Sequence, residues 1–192
     1  LSKHCSNSAL IRKLVEIYSC WGNHEYKNCA HSSISNSVLS KDCVFGALNR
    51  GKKVGITAGS DCHDGHPGNS DWLRTNRVYK NGLTAVYVKE FTRDGLWEAL
   101  LNRRCYATTG NRSYLNFKIN GHFMGEEIKV KENESFKIDI EVATDRRSHV
   151  ELIKQGETLY SDSLHESPYP FELNAHFYQK YRYTDKLKKN EK

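Results

Sequence analysis

The spacing of apolar residues changes character once along this 192-residue chain, and that change constrains the fold most strongly. From Tyr114 onward, YLNFKINGHFMG, ESFKIDIEVAT and SHVELIKQGETLYS alternate apolar and polar residues, the period of a strand buried on one side. Asn120 and Gly121 form the dipeptide most favoured at the centre of a tight hairpin. This half therefore reads as a small antiparallel β-sandwich over 113–185 with a basic tail at 186–192. FELNAHFYQKYRYT alternates less cleanly, so the last strand is expected to be irregular. A domain boundary falls near 112–114, leaving 1–112 as a first domain.

The first domain mixes the strand and helix periods. An apolar, β-branched run predicts a strand at Leu14–Ser19, followed by a turn-rich loop with His24, Glu25 and His31. Ser35 or Asn36 caps a helix to Asn49, with Val38, Leu39, Val44, Phe45 and Leu48 on its apolar side and Gly51 behind it. A second strand covers Val54–Thr57, and a third covers Gly82–Lys89. Thr92 then caps an amphipathic helix whose buried face is Leu96, Trp97, Leu100 and Leu101. Cys105–Arg112 reads as a polar turn, either an anion nest that includes Arg112 or a plain connector. Strand, loop, helix and strand in that order make an α/β crossover pattern.

The chemistry concentrates in VGITAGSDCHDGHPG, where a buried strand ends in a glycine-containing turn with Asp61, His63, Asp64 and His66. Extended geometry sends Asp61 and His63 to one face and Cys62 to the other. Carboxylate and imidazole together suit Zn, Mn or Fe, and two ligands need others to complete a centre. Glu16 and His24 are the further candidates. Glu16 interrupts an apolar strand and is expected to face water, because buried carboxylates are rare. The alternative is a polar loop whose acids and histidines only hydrogen-bond. Asp71, Arg74 and Arg77 read as ordinary surface residues.

A net charge of +6 is weak evidence for a nucleic-acid partner, because much of it sits in the lysine-rich tail. No uninterrupted apolar run is long enough to span a bilayer, and LSKHCSNSALIRKL carries neither an initiator Met nor the apolar core of a leader. Six scattered cysteines without a C-x-x-C read as reduced thiols of a cytoplasmic protein. Dinucleotide, P-loop, H-E-x-x-H and nucleophile-elbow motifs are absent from the sequence.

Taken together, VEIYS, GITAGSDCHDGHPG, GLTAVYVKEFTRDGLWEALLNRRCYATTGNR and INGHFMG resemble the PHP (polymerase and histidinol phosphatase) superfamily, in particular its metal-dependent phosphoesterases. The resemblance covers about residues 10–128. It implies part of a distorted β/α barrel whose strand ends hold divalent ions, with the family's last Asp-x-His motif on Asp61 and His63. Glu16 matches a strand-end acid that recurs in the family, and His66 stands where relatives carry arginine. The family's first histidine motifs belong ahead of VEIYS. The expectation is therefore a metal-dependent phosphoesterase lacking its N-terminal barrel segment, inactive alone, acting on a phosphorylated small molecule that His66 and Arg112 contact. The alternative is a non-catalytic barrel remnant joined to a sandwich that binds a partner.

Overall fold

The computed structural model describes residues 13–26, 29, 43–63, 65–66, 68, 80–145, 147–164 and 177–186. The chain divides into two compact units, Leu1–Asn111 and Arg112–Lys192.

In the first unit, β1 (Leu14–Ser19) lies between β2 (Gly22–Asn23), antiparallel to it, and β3 (Gly55–Ala58), parallel to it. Parallel neighbours cannot be joined by a tight turn, and the connection from β2 to β3 carries α1 (Val44–Asn49). The β1–β3 register skips a residue between Glu16 and Tyr18. Such a bulge bends a strand and re-aims its neighbouring side chains. A second sheet pairs β4 (Leu83–Val86) with β5 (Cys105–Thr108) in antiparallel fashion, with α2 (Arg93–Leu101) between them in sequence.

Side-chain and main-chain bonds tie β4 to the end of β3. The Thr84 hydroxyl donates to the Ala58 carbonyl at 2.7 Å and accepts the Ala58 N–H at 2.9 Å. The Gly82 N–H donates to Gly59 O at 2.9 Å, and the Gly59 N–H donates to Tyr18 O at 3.1 Å. Position 82 must be glycine for this approach, because a Cβ there would lie 2.5 Å from Ala58 Cβ and 2.8 Å from Tyr18 O.

Several expectations change in this unit. The chain as a whole is mostly strand among the described residues, while the first unit mixes strands and helices; its sheets stay open there, and the parallel relation is confined there to β1 and β3. Cys105–Thr108, expected as the start of a polar turn, is a strand instead, since Cys105 is buried opposite Val86. Helix α2 begins as expected, with the Thr92 hydroxyl accepting the Gly95 N–H at 3.0 Å. Its buried residue is Ala99, however, while Leu96 is 40% and Trp97 63% exposed. The small Ala99 side chain sets the inward face, and Trp97, two residues earlier, lies ~200° around the helix from it. In α1 only Val44 is buried and Leu48 is exposed. The expected cap at Ser35 or Asn36 lies outside the described residues, as do His31, Asp64, Asp71, Arg74 and Arg77.

The second unit holds β6 (Tyr114–Ile119), β7 (His122–Phe123), β8 (Ser135–Thr144), β9 (His149–Lys154), β10 (Glu157–Ser163) and β11 (Phe177–Lys186). A four-stranded antiparallel sheet runs β11-β8-β6-β7, and β10-β9 form a separate hairpin. Asn120 and Gly121, at φ 51° and 83°, make the turn between β6 and β7. Phe136, Ile138 and Ile140 alternate along β8 onto the core side, where they meet Leu152, Leu164 and Tyr181. Burying such side chains stabilises the unit by about 1.5–3 kcal/mol each. The opposite face carries directly paired charges, Arg182 with Asp139 at 2.7 Å and Lys180 with Glu141 at 3.3 Å. The last strand is regular rather than irregular: β11 pairs residue by residue with β8 from Phe177↔Thr144 to Lys186↔Ser135. Lys186, expected in the basic tail, closes this strand.

Candidate metal centre

The end of β3 and the bulged end of β1 assemble the site. β3 stops at Ala58, and the main chain of 59–61 continues beside β1 through the Cys20 N–H bond to Ser60 O at 3.3 Å. Asp61 then takes a left-handed φ of 48°. This conformation is uncommon outside glycine, although aspartate tolerates it better than most residues. Strand alternation therefore does not bring Asp61 and His63 together as expected. The turn at Asp61 does so instead, placing His63 Nε2 3.5 Å from Asp61 Oδ1.

Two ligands each about 2.1 Å from a tetrahedral ion stand roughly 3.4 Å apart, so this gap suits two positions on one ion. As an ion pair it adds little stability, because the His63 and Asp61 side chains are 65% and 45% exposed. Glu16 approaches from β1. Its Oε2 lies 2.8 Å from where a Cβ on Gly59 would stand, so glycine there leaves room for the carboxylate. Glu16 is exposed, as the sequence led one to expect; partial desolvation of its carboxyl nevertheless raises it above its ordinary value, and the Asp61 charge pushes it the same way. Among the described residues, no three His, Cys, Asp or Glu side chains converge to hold an ion. Asp61 and His63 stand as a pair, with the Glu16 carboxylate within electrostatic reach of Asp61.

Trp21 is the residue that sequence reasoning passed over. Its indole Nε1–H donates to the Asp61 carbonyl at 3.0 Å, and its ring lies 5.4 Å from that of His63. It holds the strained turn and one face of the imidazole together. The available signal was its address, two residues after the C-terminal end of β1. The Cys20 thiol also reaches the Asp61 carbonyl, at 3.8 Å.

His24 follows β2, where its N–H donates to Ile17 O at 2.7 Å and its carbonyl accepts the Val44 N–H at 3.0 Å. These bonds tie its backbone to β1 and α1. His66 is exposed, and its carbonyl accepts the Cys62 thiol at 2.9 Å, which closes the loop after His63. Arg112 is exposed and opens the second unit. Among the described residues, the cysteines at 20, 29, 43, 62 and 105 form no disulfide with one another. Among the described residues, no helix is long and apolar enough to cross a membrane.

Residues 51–144 match a family model described as "Protein of unknown function (DUF3604)". No solved structure matches the chain. The chain is 31% identical over 163 residues to an "Uncharacterized protein" of Chlamydia muridarum, covering 80% of this chain and 26% of that protein. It is likewise 31% identical over 159 residues to an "Uncharacterized protein" of Chlamydia trachomatis, covering 78% of this chain and 25% of that protein. It therefore spans about a quarter of the length of the curated relatives that it matches.

Proposed function

We propose that the first unit supplies one edge of a divalent metal centre in a metal-dependent hydrolase of phosphoester type, of the PHP kind that the sequence resembles. The observation that supports this reading is the Asp61 and His63 pair, set 3.5 Å apart by a left-handed turn. A strained turn that ends in an exposed pair of little stabilising value is better explained by binding than by folding. Asp61 and His63 would hold the ion, Glu16 would add negative charge beside it, and Trp21 would fix the imidazole plane. Asp61, His63 and Glu16 by themselves leave the coordination of such an ion incomplete. A bound divalent ion supplies a low-pKa water and neutralises charge developing on a phosphoester. His66 remains the proposed substrate contact within this unit, and Zn, Mn or Fe the proposed ions.

A second reading has one observation in its favour. Since no three ligands converge among the described residues, the first unit would be a non-catalytic scaffold and the second a binding module. Metal content after dialysis separates the two, measured on the chain and on its Asp61→Ala/His63→Ala double variant. Divalent metal retained by the parent and lost, at least tenfold, by the variant supports the metal centre. Full retention by the variant would sink the site assignment, and no metal in either protein favours the scaffold.

A further inference from the structure

The loop that carries Asp61 and His63 is closed at its neck by two neighbouring residues. Where it leaves β3, the Gly59 carbonyl accepts the Gly82 N–H at 2.9 Å. At its far end, the Gly68 carbonyl accepts the Asn81 side-chain amide. Gly68 is tied from within the loop as well, since its N–H donates to Ser60 Oγ at 3.2 Å. Entry and exit therefore meet at residues 81 and 82, and both candidate ligands lie between them.

This clamp is firmly seated. Gly82 has no room for a Cβ against Ala58 and Tyr18, and a Cβ on Gly110 would lie 2.6 Å from the Asn81 main-chain carbonyl. Neighbouring backbone thus fixes where both residues stand. The Asn81 side chain, by contrast, is not explained by stability. Its Nδ2 must face the Gly68 carbonyl, because an amide oxygen there would be repelled, and Oδ1 is then buried without a hydrogen-bond partner among the described residues. An unpaired buried acceptor is destabilising. What the amide achieves is closure of the loop. A loop held at one end presents its two ligands at many separations, and ordering it around an ion costs conformational entropy. A neck closed in advance removes that cost.

We propose that Asn81 is a positioning residue of the candidate metal centre, which holds the loop exit at Gly68 so that Asp61 and His63 keep the separation an ion needs. The inference rests on the metal reading given above. Asn81 acts through Gly68 and through Ser60, the residue next to Asp61.

The test compares the parent with Asn81→Asp and Asn81→Ala. The first keeps the shape, removes the donor and sets a carboxylate against the Gly68 carbonyl; the second removes the donor without adding charge. Backbone order parameters from ¹⁵N relaxation in EDTA should stay near ~0.85 at residues 62–66 of the parent and fall below ~0.6 in both variants, with β1 and β3 unchanged. A purely stabilising side chain would lower the urea midpoint and leave these values alone. Titration with cobalt(II), read by its visible absorption, should show affinity about tenfold weaker in both variants, as for outer-shell residues that orient metal ligands. Ser60→Ala frees the Gly68 N–H, loosens the same residues, and keeps the test decisive if the Asn81 variants do not fold. Parent order parameters already in the flexible range overturn the proposal, as do rigid loops in both Asn81 variants. Parent-like cobalt affinity in a loosened loop also overturns it. A parent that binds no cobalt overturns the metal reading instead, and the order parameters then decide the clamp alone.

Discussion

Gly82 shows how tightly a single residue can govern the candidate centre. A Cβ at this position meets Ala58 Cβ, Tyr18 O and Gly59 N, all within 3.0 Å, and two of these are backbone atoms that cannot swing away. Gly82→Ala should therefore destabilise the first unit by about 2–3 kcal/mol through overpacking, read as a lower urea midpoint. Glu16 makes a different demand. Its carboxyl titrates above the ordinary 4.5, from burial first and from Asp61 second. The native state thus holds this proton more tightly than the unfolded chain does. The stability it contributes is fully present below pH 4.5 and is lost as pH rises through the raised native value. Glu16→Gln should accordingly match the parent at pH 4 and exceed it at pH 7.5 by well under ~1 kcal/mol, since the side chain is partly solvated. Urea melts in EDTA at both pH values check this; a variant less stable at pH 7.5 would contradict it.

Helix α2 places a strong cap on a weakly buried element. Thr92 satisfies the Gly95 N–H, while Phe91 at 95% and Trp97 at 63% stand in solvent and Ala99 alone is buried. With so little packing to hold it, the first turn depends on its cap. Thr92→Ala should cost about 1 kcal/mol locally, seen as faster amide exchange at Gly95 with exchange in β8 unchanged. The amphipathic pattern of α2 was legible in the sequence, but its rotation was not. Periodicity locates a stripe, and which residue of that stripe meets the sheet is set by how closely the helix backbone can approach, a choice made at Ala99. Strand pairing shows the same division. Alternation made β6, β8, β9 and β10 readable, and the Asn120–Gly121 turn fixed its own hairpin. β5 was hidden because CYAT carries no alternation, and only its pairing with β4 makes it a strand.

At the scale of the whole molecule, the division at Asn111/Arg112 separates a unit of mixed strands and helices, with one parallel pair among the described residues, from one whose described strands pair only antiparallel. The second unit has its own core around Phe136, Ile138, Ile140 and Leu152, so limited proteolysis should leave a resistant fragment beginning near Arg112 that unfolds cooperatively on its own. Loss of all cooperative unfolding after cleavage there would show that the two units depend on each other. The sequence by itself determined that the second half is antiparallel and that a hairpin turns at Asn120 and Gly121, because both follow from local spacing and turn chemistry. The tertiary structure alone decided that a left-handed Asp61, held by the Trp21 indole, brings the pair together, and that the Glu16 carboxylate lies over Gly59. These depend on contacts between β1 and the end of β3, some 40 residues apart in the chain. Spacing along a sequence carries no information about which strand ends will meet; only the packing that buries both strands does.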